Sequence, residues 1–259
     1  MKKYIANFEK YRFLLGELVK KDIKLKYRRS KLGIMWTLIE PILMAIVLTI
    51  VFSNLRGNKM HGFPVYLLAG RTLFQFFNTG TKAAARSIRS NSGMMRKVYI
   101  PKYMYPLGSV LSNFVTFLIS MIVLVGACVI FKIQVTKYIL LAPIPLFILM
   151  VMTFGMSMIL ATLEVFFRDV EYLWTVTTTL IMYCTAIFYV PEKMHSELLL
   201  VILKWNPVYG VIRNFRESIF YGKMLDAWSL GYSGTVAVLL TLIGVYLFYK
   251  KQDEFILYL

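Results

Sequence analysis

The chain has 259 residues, 58% of them hydrophobic and 17% charged, with 30 Lys and Arg against 13 Asp and Glu. A soluble domain of average composition is far less apolar, so the chain reads as an integral membrane protein. The formal charge of +17 does not point to nucleic acid, because the basic residues cluster beside apolar runs and leave no soluble domain to carry such a partner.

The first 31 residues hold Lys2, Lys3, Lys10, Arg12, Lys20, Lys21, Lys24, Lys26, Arg28, Arg29 and Lys31 against Glu9, Glu17 and Asp22. This segment is too charged for the apolar region of a signal peptide, so the first span must direct insertion. Phe8, Tyr11, Leu14, Leu15, Leu18 and Val19 recur at helical spacing. They predict an amphipathic helix lying in the cytoplasmic interface with its apolar face in lipid, or else packed on the same protein.

A hydrocarbon core of about 30 Å needs about 20 helical residues. Apolar runs near 34–53, 64–80, 107–131, 139–163, 173–190 and 230–249 predict six spans. A second basic cluster, Lys82, Arg86, Arg89, Arg96, Lys97 and Lys102, falls in the 81–106 loop. The positive-inside bias places both clusters in the cytoplasm, and six spans return the C-terminus there. The fourth loop, Glu164 to Glu171, is cytoplasmic by the same count although it holds three acids and one Arg.

Within the first span Glu40 and Pro41 stand side by side. Glu40 lies about 9 Å into the helix, close enough to the cytoplasm to meet water in a cavity. Pro41 frees a carbonyl one turn earlier, which a membrane bundle tolerates where a neighbour or water satisfies it. The pair fits a wall of a wet entrance, or a Glu paired with a basic group at the interface. The fifth span carries Thr175, Thr177, Thr178, Thr179, Tyr183, Thr185 and Tyr189, hydroxyls that could line a polymer channel. Interfacial anchoring explains Tyr172, Trp174, Phe188 and Tyr189 equally well.

Between the fifth and sixth spans, Leu198–Trp205 is about 12 Å long as a helix and cannot cross. Asn206 and Pro207 break it, and Val208–Tyr221 is amphipathic with Arg213, Arg216 and Glu217. We expect two short outward-side segments that dip into the membrane or lie on it.

Cys128 and Cys184 sit in apolar segments and read as packing thiols. His61 and His195 lack a metal-ligand cluster, and no phosphate-binding glycine loop occurs, so the chain is expected to hold no metal, no catalytic set and no ATP. An ATP-driven process would need a separate ATPase and a surface to dock it. The 81–106 loop either offers one or is merely a solvated basic loop: it has a helix-forming Ala83–Arg89, a turn at Asn91–Gly93, and a short piece stopped by Pro101 and Pro106. Met94, Met95, Val98 and Tyr99 would be its apolar contacts, with Arg96 and Lys97 as charged ones.

Several local patterns then coincide. The run Asp22-Ile23-Lys24-Leu25-Lys26-Tyr27-Arg28-Arg29-Ser30, followed by Leu32-Gly33, Trp36 and Pro41, resembles the entry of ABC-2 type permeases that export polysaccharides, O-antigens and teichoic acids. So do Tyr66-Leu67-Leu68-Ala69-Gly70, Arg96-Lys97-Val98-Tyr99-Ile100-Pro101, Phe167-Arg168-Asp169 and Trp205-Asn206-Pro207, in the family's order over nearly the whole chain.

The resemblance implies one domain over 1–259. It is an all-α integral membrane fold with an interface helix in 1–33, a six-helix bundle in 34–250, a coupling loop in 81–106 and two re-entrant gate helices in 191–227. It implies a homodimer in a bacterial cell membrane, with two copies of an ATPase that carry ATP and Mg, and a lipid-linked glycan moved outward. Lys24, Tyr27 and Arg28 of the interface helix would touch the ATPase. So would Arg89, Asn91, Met94, Met95, Arg96, Lys97, Tyr99 and Pro101 of the coupling loop.

Trp36, Glu40, Arg71, Thr178, Tyr183 and Tyr189 are the candidate channel residues, and Trp205, Asn206, Pro207 and Arg213 the candidate gate. Arg71 departs from the family, which usually carries an apolar residue there. At a bilayer centre it would cost about 3 kcal/mol, so it should face protein, water or headgroups. A permease for small-drug or lipid efflux is the alternative. A secondary transporter would want inverted repeats, and a transferase a catalytic cluster.

Overall fold

The computed structural model describes residues 2–56, 62–97, 100–134, 136–191 and 196–258. His61, Val98, Tyr99, Glu192 and His195 lie outside them. Among the described residues there are helices and no strand. In order they are α1 (Lys2–Tyr27), α2 (Trp36–Arg56), α3 (Phe63–Ser90), α4 (Ser92–Met95), α5 (Met104–Ile130), α6 (Pro143–Phe166), α7 (Val170–Tyr183), α8 (Glu197–Lys204), α9 (Pro207–Ile219), α10 (Ala227–Lys251) and α11 (Phe255–Tyr258).

Helix starts follow local chemistry. Pro stands in the first turn of α3, α6 and α9, where its missing N–H costs nothing. Ser196, Asn206 and Asp226 accept hydrogen bonds from the first backbone N–H groups of α8, α9 and α10, satisfying donors that would otherwise be orphaned.

Four helical segments among the described residues are long and apolar enough to cross a membrane: Gly33–Val51, Met104–Ile130, Lys137–Phe166 and Ala227–Tyr258. Two expected spans differ. The second is longer than its apolar run, because nothing between Thr79 and Ala85 breaks a helix. The chain therefore stays helical from Phe63 to Ser90, and the expected separate helix Ala83–Arg89 is the end of α3. The fifth is shorter. Only Val170–Tyr183 is regular helix, about 21 Å, and the carbonyls beyond it are taken by α9.

α3 is the central element, packed on α2, α5, α6, α7 and α9. A main core joins Leu68, Leu73, Phe76, Phe117, Leu149, Trp174, Val211 and Phe215. At the end carrying both chain termini, Leu15 and Leu18 of α1 pack with Ile88, Met104, Tyr105, Phe248 and Phe255. The apolar face of α1 is thus seated on protein, with Leu18 against Gly108, and the lipid-facing alternative is corrected. Only the opposite flank, with Phe13 80% exposed, is left open. A third cluster of Phe63, Tyr66, Leu67 and Val190 closes the other end, beside α8 and α9.

The tightest seam runs between α6 and α10. A Cβ on Gly155 would lie 2.5 Å from Thr241 N, and one on Gly244 the same distance from Gly155 O. Thr241 Oγ1 also donates to Val151 O at 3.1 Å. Small residues let the backbones touch, as membrane helix pairs require. Gly70 has a comparable role toward a side chain, since a Cβ there would overlap the buried Arg216 guanidinium. Gly70→Ala is expected to lower the thermal unfolding midpoint of the detergent-purified protein, a loss of about 1–3 kcal/mol. Gly16→Ala, where nothing lies within 4 Å, should leave it unchanged or raise it.

Candidate functional site

Along α3, Arg71, Gln75, Thr79, Lys82 and Arg86 recur every three or four residues and so share one face. That face borders two cavities. One, of about 80 Å³, is lined by Lys26, Tyr27, Thr37, Glu40, Pro41, Arg71, Gln75, Asn113 and Ser120 among others. The second, of about 400 Å³, is lined by Asp22, Lys26, Lys82, Arg86, Ser109, Ser112 and Asn113 among others. Lys26, Thr79, Asn113 and Thr116 belong to both, so the cavities form one polar groove between α1, α2, α3 and α5.

The groove explains Pro41. Its ring removes the donor that would have bonded the Thr37 carbonyl, and Ser120 Oγ of α5 donates to that carbonyl at 3.1 Å. Glu40 acts at Coulombic range on Lys26 and Arg71 and, among the described residues, forms no contact ion pair. Partial burial, with the Glu40 carboxylate adding to it, pushes the Tyr27 phenol above its ordinary value. The groove is therefore a mixed-charge, hydroxyl-rich surface suited to a hydrated, polar cargo.

At the end bearing the termini, three ion pairs gather: Arg86–Glu171 at 2.6 Å, Arg89–Glu164 at 2.7 Å and Arg89–Glu171 at 3.4 Å. Glu164 is 1% exposed. Two of the three acids that made the fourth loop look anomalous, Glu164 and Glu171, are thus partners for the basic end of α3. Lys21 Nζ donates to Asn91 Oδ1 at 2.6 Å, tying α1 to the hairpin that holds α4, and Ser109 Oγ donates to Asp22 Oδ2 at 3.2 Å, tying it to α5.

At the far end, Arg216 of α9 is 2% exposed. Its Nε donates to Tyr66 O at 3.1 Å, Nη1 to Ala186 O at 2.9 Å and Nη2 to Ile187 O at 3.2 Å. Its guanidinium carbon lies 3.5 Å from the Tyr66 ring centroid, a desolvated cation–π contact. Asn206 caps α9 and also donates from Nδ2 to Cys184 O at 2.7 Å. Arg213 pairs with Glu217 at 3.0 Å and Asp226 at 3.3 Å.

The structure divides the expected residues. Tyr27, Glu40 and Arg71 meet in the groove, whereas Trp36 is exposed outside it. Thr178 is buried and donates to Thr175 O, Tyr189 donates to Tyr183 O, and Tyr183 is exposed; none of the three lines the groove. Thr175, Thr177 and Thr179 likewise bond carbonyls of their own helix, so α7 offers no free hydroxyl ladder.

In the hairpin after α3, Met94, Arg96 and Lys97 are exposed, as are Lys24 of α1 and Arg28 just beyond it. Arg89, Asn91 and Met95 instead serve the chain's own packing, and Pro101 O accepts from Met104 N. Asn206 caps and Pro207 opens α9, Trp205 stands just before them, and Arg213 lies farther along the same helix. Arg216 was read only as part of an amphipathic segment and Tyr66 only as part of a family pattern; nothing in the sequence pairs the two.

Residues 14–220 match the family described as ABC-2 type transporter. The chain is 25% identical over 256 residues to an O-antigen export system permease protein RfbA of Myxococcus xanthus, covering 98% of each. A Klebsiella pneumoniae RfbA shares 26% over 247 residues, 93% of each. The polysialic acid transport protein KpsM of Escherichia coli shares 21% over 264 residues, 96% of this chain and 97% of that one.

The buried acid gives a direct check. Arg89→Ala leaves the Glu164 carboxylate without its partner and is expected to cost about 1–3 kcal/mol in unfolding. Adding Glu164→Gln should recover more than half of the loss, read from thermal melts of the single and double variants.

Proposed function

This chain belongs to the ABC-2 type transporter family, and we propose that it is the permease subunit of an ATP-driven polysaccharide exporter. The observation that carries the proposal is the groove, which gathers charged, hydroxyl and amide side chains inside a bundle of apolar helices. The O-antigen and polysialic acid functions of its relatives favour a glycan over a small drug or lipid.

In this reading α3 and α7 complete a six-span bundle. α3 crosses because its polar stripe is turned to the groove and away from lipid, and α7 crosses together with the bonded turn through Tyr189. α8 and α9, too short to span, enter from the outer side as a gate and leave by the same side. The basic ends of α1 and α3 put both termini in the cytoplasm of a bacterial cell membrane.

α2 is nearly naked, with 6% of its apolar window buried, and the groove beside it is open on one flank. A second copy of the chain closes both, so the working permease is a homodimer around a shared channel. Met94, Arg96 and Lys97 at the tip of the hairpin, with Lys24 and Arg28, form the seat for two copies of an ATPase that binds ATP and Mg. The cargo is a lipid-linked glycan that enters near Glu40 and Arg71.

Depleting the protein in cells fed radiolabelled sugar is expected to trap lipid-linked polymer inside, with surface polymer falling in step. Surface polymer that stays unchanged would overturn glycan export. In replacement strains, Arg71→Met and Glu40→Gln should each slow the appearance of surface polymer several-fold at equal protein level. Trp36→Leu, outside the groove, should not.

A further inference from the structure

A cavity of about 430 Å³ lies at the far end, between α8, α9 and the start of α10. It is separate from the polar groove, and its size falls in the range of small-molecule sites, roughly 300–1,000 Å³. Its wall carries Trp228 and Tyr209, and its polar groups are Lys204, Arg213, Asp226 and Ser229.

These groups are held in place. Asp226 Oδ1 accepts from Trp228 N at 3.2 Å while its other oxygen pairs with Arg213. Asp226 N donates to Asn214 Oδ1 at 2.7 Å, and Asn214 Nδ2 donates to Ser229 Oγ at 2.8 Å. Trp228 is stacked on Tyr232, with centroids 5.7 Å apart and planes 9° from parallel. Trp205 closes edge-on against both rings, and Tyr232 Oη donates to Trp205 O at 3.1 Å. Despite this support Trp228 is half exposed, and Lys204 Nζ lies 5.2 Å from its ring centroid.

The chemistry discriminates among ligands. Arg213 is already matched by Asp226 and Glu217, so Lys204 is the one unmatched cation lining the cavity among the described residues, too little for a strongly anionic ligand. A purely apolar ligand would leave the Lys204 ammonium without a polar partner. A ring with an apolar face and hydroxyls on its rim satisfies both features. The face lies on Trp228 and the rim hydroxyls bond the carboxylate, the ammonium and the serine.

We propose that this cavity is a saccharide subsite, one or two sugar rings in capacity, at the exit side of the bundle. It rests on the glycan-export reading and deepens it. The exported chain is held here after the groove, against the capped start of α9, so that cargo at the exit contacts the gate itself.

The test is saturation-transfer-difference NMR on the full chain in phosphatidylcholine nanodiscs, which avoids sugar-headed detergents. The probes are glucose, galactose, mannose, rhamnose and N-acetylglucosamine, with glycerol 1-phosphate alongside. At least one sugar should show transfer. Trp228→Leu should reduce it about fivefold, the loss of one stacking face, and Asp226→Asn, which keeps the helix cap, should reduce it as well. Phe13→Leu, on the exposed flank of α1, should leave it unchanged.

Transfer to no sugar, transfer equal in Trp228→Leu, or transfer to glycerol 1-phosphate alone would each overturn the assignment. The two proposals fail separately. Trapped polymer on depletion with no sugar transfer sinks the subsite and keeps glycan export. Sugar transfer with undiminished surface polymer does the reverse.

Discussion

A guanidinium sealed inside the far end of the bundle sets the terms for everything around it. Burying a charge costs several kcal/mol unless each donor finds a partner, and no carboxylate lies within ion-pair distance of Arg216 among the described residues. The protein supplies three backbone carbonyls and an aromatic face in its place. Tyr66 O belongs to α3, but the other two carbonyls lie beyond a helix end: α7 stops at Tyr183 and the chain turns through Ala186 in the left-handed region, at φ 49°. That conformation costs a non-glycine residue about 1–2 kcal/mol, offset by the hydrogen bond Ala186 O receives. Position 70 has room for nothing larger than glycine. One side chain thereby fixes the length of one helix, the composition of another and the seat of a third.

The remaining polar groups follow a related logic at the other end of the bundle and along its side. Glu164 is tolerated because Arg89 reaches it, and Glu171 because it is shared by Arg86 and Arg89. The groove differs in kind: Glu40 and Arg71 are left without contact partners among the described residues, on a surface lined by hydroxyls and amides. Most hydroxyls and amides of the groove are bonded, largely to carbonyls of their own helices, so the charges of Glu40 and Arg71 are the groups left available there.

Much of this was legible in the sequence. The short segments split by Asn206-Pro207 and the polar pair inside the first span rest on local chemistry, and the structure has two short helices there and Glu40 beside a cavity. The length of α3 was hidden because hydropathy averages over all faces of a helix. Its charged stripe cancels its apolar one, although a period of three to four residues gives it away. The shortness of α7 was hidden for a different reason. Nothing between Tyr183 and Tyr189 breaks a helix by itself, and the acceptors are claimed by residues some 20 to 30 positions later. The threonines of α7 misled because a hydroxyl in a helix can turn back on its own carbonyls. The seating of α1 was one of two open alternatives, decided by tertiary packing on Gly108 and its neighbours.

The α6–α10 seam has a mechanical consequence. With Gly155 and Gly244 bringing the two backbones into contact, there is no layer of side chains to shear, slide or repack between them. The pair has no internal degree of freedom at its waist and behaves as one beam, so any cycle of opening must pivot elsewhere. α2 meets its neighbours with little buried surface, and the hairpin beyond α3 is short. Displacement is thereby directed to the groove side of the molecule, with the glycine seam serving as the fixed frame against which it is measured.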